Sequence, residues 1–148
     1  FLDAFSSCNR NFTIQNVAIG KDAFWCGACP KCAFVFNQLC AWLPHNDVVD
    51  VFGQDLYESD GLLETYRELL GIAGNKPFEC VGTAEEVAAA FELSFRKGDA
   101  NQTRALQMYV GEVRDAVPDH DAVIERLLAP SNEHAIPQDM MDRLPLFT

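Results

Sequence analysis

From residue 30 onward, apolar positions recur at helical spacing and are punctuated by glycine and proline. A first helix is expected from Pro30 to about Leu43, with Phe36, Leu39, Cys40 and Leu43 on one stripe and Pro44 as the stop. Asn46 or Asp47 can cap a short helix that turns Val48, Val49 and Phe52 inward and ends at Gly53. Asp60 is the expected cap of the next helix, with Leu62, Leu63, Tyr66, Leu69 and Leu70 inward and Gly71 as the stop. After a loop over 74–82, Thr83-Ala84-Glu85-Glu86 forms a capping box. Its helix puts Ala84, Val87, Ala88, Phe91 and Phe95 on one face and ends at Gly98. A polar break over 99–103 precedes a helix burying Leu106, Tyr109, Val110, Val113 and Val117, which stops before Pro118. A last helix over 119–129 turns Val123, Ile124, Leu127 and Leu128 inward.

The stretch before residue 30 is less regular. Phe1 to Phe5 is a short apolar segment, and Ser6 to Asn11 reads as a polar turn. A short strand is expected at 12–14 and a turn at 19–22, with Phe24 and Trp25 leading into a cysteine knuckle and packing beside it. The expected fold is mainly α, a single domain over 1–148. It comprises the knuckle with its helix (1–43), a helical region (44–129) and a proline-containing docking tail (130–148).

Candidate chemistry concentrates in Cys26-Gly27-Ala28-Cys29-Pro30-Lys31-Cys32. Three thiols recur every third residue, and Cys8 upstream can complete a four-thiolate site. Tetrahedral zinc takes four sulfur ligands at about 2.3 Å, often from short Cys-x2-Cys turns plus a partner from elsewhere. Gly27 permits the tight turn, and Pro30 fits the first helical position, where its missing N–H costs nothing. The helix start and Lys31 both favour thiolate. A redox pair, disulfides and an unliganded cluster compete with this reading. Cys8 is chosen as fourth ligand over Cys40 and Cys80 because it sits in a polar turn. Cys40 falls on an apolar stripe and reads as core; Cys80 reads as a buried or a reactive thiol.

Composition narrows the function classes. The 148 residues suffice for a sizeable core, and the net charge of −11 disfavours a nucleic-acid partner. No apolar run reaches the ~18 residues of a membrane span, and reduced thiols favour the cytoplasm. Arg10, Lys21 and Lys31 flank the thiols and can offset their charge. The chain opens on Phe1-Leu2-Asp3-Ala4-Phe5 and reads as a piece of a longer polypeptide. No phosphate-binding glycine loop and no nucleophile triad is visible. His45, His120 and His134 read as surface or capping residues.

Three stretches resemble the C-terminal part of the MurL family. They are Ser7-Cys8-Asn9-Arg10-Asn11-Phe12, Trp25-Cys26-Gly27-Ala28-Cys29-Pro30-Lys31-Cys32-Ala33-Phe34-Val35-Phe36, and Lys76-Pro77-Phe78-Glu79-Cys80-Val81-Gly82-Thr83. The resemblance implies an epimerase of peptidoglycan precursor synthesis that inverts the terminal L-Glu of UDP-MurNAc-L-Ala-L-Glu. It also implies that ATP, with Mg²⁺, is split to AMP and pyrophosphate to activate the glutamate carboxylate. The family's ATP-pyrophosphatase loop is absent from these 148 residues, so the resemblance is to the portion after the nucleotide site of an α/β enzyme. The missing N-terminal catalytic half is then the expected partner, and the fragment alone is expected to be inactive. The 7-cyano-7-deazaguanine synthases share a similar cysteine pattern but lack the Lys-Pro-Phe-Glu-Cys-Val-Gly run. A zinc-stapled interaction module without chemistry is the third reading.

On the MurL reading, Asn9, Arg10, Lys31 and Lys76 are candidate substrate-binding residues. Arg10 and Lys31 can meet phosphate or carboxylate oxygens. Glu79 and Cys80 are the candidate proton-transfer groups, since epimerisation removes a proton on one face and returns it on the other. The plainer alternative is that Lys76-Pro77-Phe78 shapes a turn and Glu79 pairs with a lysine.

Overall fold

The computed structural model describes residues 5–8, 10, 24–77, 81–130, 133, 135–141 and 143. The strand expected at 12–14, the turn at 19–22, and Asn9, Lys21, Glu79, Cys80 and His134 lie outside the described residues. The described residues form seven helices and no strand: α1 (Pro30–Trp42), α2 (His45–Phe52), α3 (Asp60–Leu69), α4 (Ala84–Lys97), α5 (Arg104–Glu112), α6 (His120–Leu128) and α7 (Gln138–Met141). A 3₁₀ turn, Arg114–Ala116, comes after α5. The chain divides into two compact units, residues 1–118 and 119–148.

Helix ends show which local signals prevail. At α4 the Thr83 hydroxyl accepts from the Glu86 amide at 3.2 Å, and the Glu86 carboxylate accepts from the Thr83 amide at 2.5 Å. That satisfies two amides that a bare helix start would leave unpaired. Glu85 and Glu86 lie in the first turn and Arg96 and Lys97 in the last, each complementing the helix dipole. The expected cap of α2 is overturned. The helix begins at His45, ahead of Asn46 and Asp47, because Pro44 already holds a φ of −53° and its carbonyl accepts from Asp47 and Val48. The cap comes instead from Asp99, whose carboxylate accepts from the His45 amide at 2.8 Å. At α3, Asp60 is the first helical residue and Ser59 holds the cap position. The Asp60 carboxylate meets Arg104 on α5 instead.

In the first unit α1 packs along α4 and against α2 and α3, while α5 packs on α3 and α4. Phe36, Cys40, Val48, Leu62, Tyr66, Leu69, Val87, Phe91, Leu106 and Tyr109 are buried as their spacing predicts. Leu39, Leu43, Leu63, Ala88, Phe95 and Val110 are only partly buried at the margin. Aromatic rings run through this core in sequence. Trp25 stacks on Phe52 at 4.5 Å, Phe52 meets Phe36 at 5.2 Å, and Phe36 meets Tyr57 at 5.0 Å. Tyr57 then stacks on Phe91 at 5.4 Å and Phe91 on Tyr109 at 5.2 Å. Each such ring pair contributes about 0.5–1.5 kcal/mol beyond area burial.

Several polar groups inside this core are answered, whereas the Trp25 indole N–H and the Tyr66 hydroxyl are buried with no hydrogen-bond partner among the described residues. The Tyr57 hydroxyl donates to Asn37 at 2.7 Å, and the Asn37 amide donates to the Val87 carbonyl at 3.0 Å. His45, expected as a surface or capping residue, is buried. Its ring stacks on Tyr57 at 5.9 Å and its Nε2 lies 3.1 Å from the Asp55 carboxylate. Glu92 is fully buried on α4, where its carboxylate accepts from Arg96, Arg114 and the Tyr109 hydroxyl at 2.9, 2.9 and 3.2 Å. The helical spacing of apolar residues did not reveal this buried charge.

In the second unit α6 starts where its sequence predicts, with the Asp119 carboxylate accepting from the Ala122 amide at 2.9 Å. Its apolar face is less covered than expected. Val123, Ile124 and Leu127 are half-buried and Leu128 is 55% exposed. The nine residues of α6 are too few to carry a core of their own.

Candidate metal centre

The four thiols of Cys8, Cys26, Cys29 and Cys32 come together with every Sγ within 4.8 Å of the others. Cys26 and Cys29 lie 3.6 and 3.5 Å from Cys32. Four sulfurs tetrahedrally placed about 2.3 Å from one zinc ion stand ~3.8 Å apart. The cluster is therefore of the right size to close on a single cation. All four are free thiols, so no disulfide joins them. Cys8, Cys29 and Cys32 are buried and Cys26 is half-buried.

Local backbone explains the convergence. Gly27 has φ +62°, which turns the chain between Cys26 and Cys29. Cys29 is extended, and Pro30 starts α1 immediately after it, so Cys32 sits in the first helical turn. Cys8 is brought in by Ser6, a residue whose spacing alone gave it no role. The Ser6 hydroxyl donates to the Phe24 carbonyl and accepts from the Cys8 amide at 3.2 Å, pinning the upstream segment to the knuckle. A serine two residues before a ligand is the recognisable signal for such a turn. Trp25 is buried as expected, but Phe24 is 51% exposed.

The thiols are electrostatically interdependent. The Cys32 thiol, hydrogen-bonded to Cys29, favours the Cys29 thiolate, with the Cys32 backbone amide assisting, and holds its pKa down at about 5. Cys32 is driven up by that same bond and by burial. Burial is the main cause that raises Cys26 to about 11, against a lowering by the Ala28 amide. Without a cation, Cys26 and Cys32 keep their protons beside Cys29, because adjacent thiolates repel. A divalent cation reverses this, since its charge stabilises every thiolate at once. A set of four cysteine ligands leaves no open position for substrate, so the arrangement suits a structural metal. Cys40 lies elsewhere, fully buried in the core, with burial raising its thiol to about 12.

Two of the candidate binding residues, Lys31 and Lys76, have partners near the start of α1. The Lys31 ammonium lies 5.9 Å from the centre of the Phe34 ring. The Lys76 ammonium donates to the Gly82 carbonyl. Gly82 itself abuts the Phe34 ring, where an added Cβ would come within 3.0 Å. Lys31 thus lies beside the ring against which the Gly82 backbone bonded by Lys76 packs, while Arg10 is exposed two residues beyond Cys8. No described helix is long and apolar enough to cross a membrane.

The family model for the MurL C-terminal domain matches residues 4–124. Three curated relatives are named UDP-N-acetyl-alpha-D-muramoyl-L-alanyl-L-glutamate epimerase. The Xanthomonas oryzae protein is 33% identical over 140 residues, covering 95% of this chain and 31% of its own length. The Micromonospora protein is 38% identical over 141 residues, covering 91% of this chain and 29% of its own length. The Salinispora tropica protein is 41% identical over 117 residues, covering 79% and 24%. This chain therefore spans less than a third of the length of these relatives. No solved structure matches it. The matched span takes in the whole knuckle and α1 to α5, and the chain belongs to the MurL C-terminal domain family.

Proposed function

We propose that this chain is the zinc-bearing C-terminal domain of an ATP-dependent epimerase that converts the terminal L-Glu of UDP-MurNAc-L-Ala-L-Glu to D-Glu. The observation that carries the reading is the family match over 4–124, with relatives named for that epimerase activity. The peptidoglycan role, cytoplasmic location, ATP and Mg²⁺ all come with this reading. The four thiols at shared-centre distance support its zinc component.

Within it, Cys8, Cys26, Cys29 and Cys32 hold one zinc ion, which cross-links the upstream segment to the start of α1. The ion supplies structure only, because four protein ligands fill its coordination sphere. Activation of the glutamate carboxylate by ATP belongs to the N-terminal half of the longer polypeptide. Asn9, Arg10, Lys31 and Lys76 form the binding face toward that half and its nucleotide-sugar substrate, and Glu79 and Cys80 serve proton removal and return. Support for the face comes from Lys31 lying beside Phe34, the ring against which the Lys76-bonded Gly82 packs.

The test uses the full-length enzyme and measures AMP release and dipeptide inversion separately. Loss of inversion with retained AMP release in Glu79→Gln or Cys80→Ala places those residues at proton transfer. Unchanged inversion in both removes them from the chemistry. Metal analysis of the same preparation should find about one zinc per chain.

A further inference from the structure

The loop after α2 lies directly against the thiol cluster's tight turn. If Gly27 carried a Cβ, the Gln54 amide nitrogen would stand 1.8 Å from it and the amide carbon 2.6 Å. A side chain at Gly27 would have to displace the Gln54 amide, which rests on the Gly27 backbone. Gly53, at φ +70°, makes the turn that directs Gln54 there. One further contact joins the same elements, since Trp25 stacks on Phe52 at the end of α2. Gly27 is not a passive neighbour of the sulfurs, because its left-handed backbone makes the turn between Cys26 and Cys29. Gln54 is solvent-exposed while the Gly27 beneath it is buried. The Gln54 side chain is thus the layer between this turn and water.

We infer that Gln54 is a positioning residue for the metal centre, holding the Gly27 turn that sets Cys26 and Cys29 on either side of it and shielding that side of the cluster from solvent. The inference rests on the zinc reading above. Residues that orient a ligand without touching the ion typically change metal affinity by about 10–100-fold when removed. Gln54 does so from one side, so an effect at the lower end of that range is expected.

The experiment loads the purified protein with zinc and follows its transfer to a chromogenic chelator, then repeats the loading with cobalt(II) and records the spectrum. Gln54→Ala should release zinc about tenfold faster and alter the cobalt–thiolate absorption. Because Gln54 is exposed, the fold should survive, which far-ultraviolet circular dichroism checks. Gln54→Met keeps a long side chain over Gly27 but loses the amide. Recovery of slow release in it assigns the effect to shielding, and failure to recover assigns it to the amide's contact with the backbone. Release rates and cobalt spectra identical to wild type in Gln54→Ala would overturn the inference. A wild-type protein that binds neither ion would instead overturn the zinc reading.

Discussion

The first unit is held in different ways at its two ends. Around Tyr57, Phe91 and Tyr109, aromatic burial and answered polar groups hold the helices together. Around Cys26 the segments before α1 have no α-helix or strand among the described residues, and Phe5 and Phe24 are each more than half exposed. What converges there is sulfur. An apolar core gains stability in small increments over many contacts, so it tolerates partial loss. A metal cluster gains it from one multivalent centre, so losing one ligand can undo the whole. The two ends should therefore fail differently.

Cys29→Ser should have the largest effect. Structural zinc sites in small peptides bind with about 10–16 kcal/mol, much of which appears as folding free energy. Metal content should fall toward zero, and the near-ultraviolet signal of Trp25 should change while far-ultraviolet helicity largely persists. A chelator, or acidification that protonates the thiolates, should reproduce that pattern in the wild type. Phe91→Ala should act on the other end, lowering stability by about 3–5 kcal/mol in denaturant titration while zinc stoichiometry stays intact. If it instead empties the metal site, the two ends are not separable. Arg114→Ala removes two of the contacts to the buried Glu92 carboxylate, with Arg96 and Tyr109 remaining. A loss of about 1–3 kcal/mol is expected, again with zinc retained. Thr83→Ala, which breaks the α4 capping box, should cost about 1 kcal/mol and leave both ends recognisable.

The same division explains what the sequence revealed. Signals that act within a few residues were legible: the Thr83–Glu86 box, the glycine stops at Gly53 and Gly98, the apolar faces of α1, α3 and α4, and the three-residue spacing of cysteines. Contacts made across the chain were not. Asp99 caps α2 from a distant loop, and Asp55 lets His45 enter the core, so neither cap nor burial could be read near residue 45. Asp60 has the right chemistry for a cap, but Arg104 engages it from α5. Glu92 interrupts no apolar repeat, and its partners come from α4, α5 and the 3₁₀ turn after α5. Of the candidate site, the thiols were legible from spacing. Ser6 was legible only as part of a polar turn, and Gln54 was not, since it matters through a neighbour it touches.

One helix belongs to both ends. The 13 residues of α1 span about 20 Å, beginning at the thiols and passing Phe36 and Asn37 before reaching Leu43. There the Lys97 ammonium donates to the carbonyls of Cys40 and Leu43, which the helix end would otherwise leave without partners. The same lysine lies 3.5 Å from the Asp99 carboxylate that caps α2. A rigid rod fixed at both tips transmits constraint along its length. Fraying at the start of α1 is therefore coupled to opening at its far end, and amide hydrogen exchange should slow across the whole helix when metal is added. Exchange of the amides near Leu43 then reports on a site some 20 Å away, while each end keeps its own stabilising contacts.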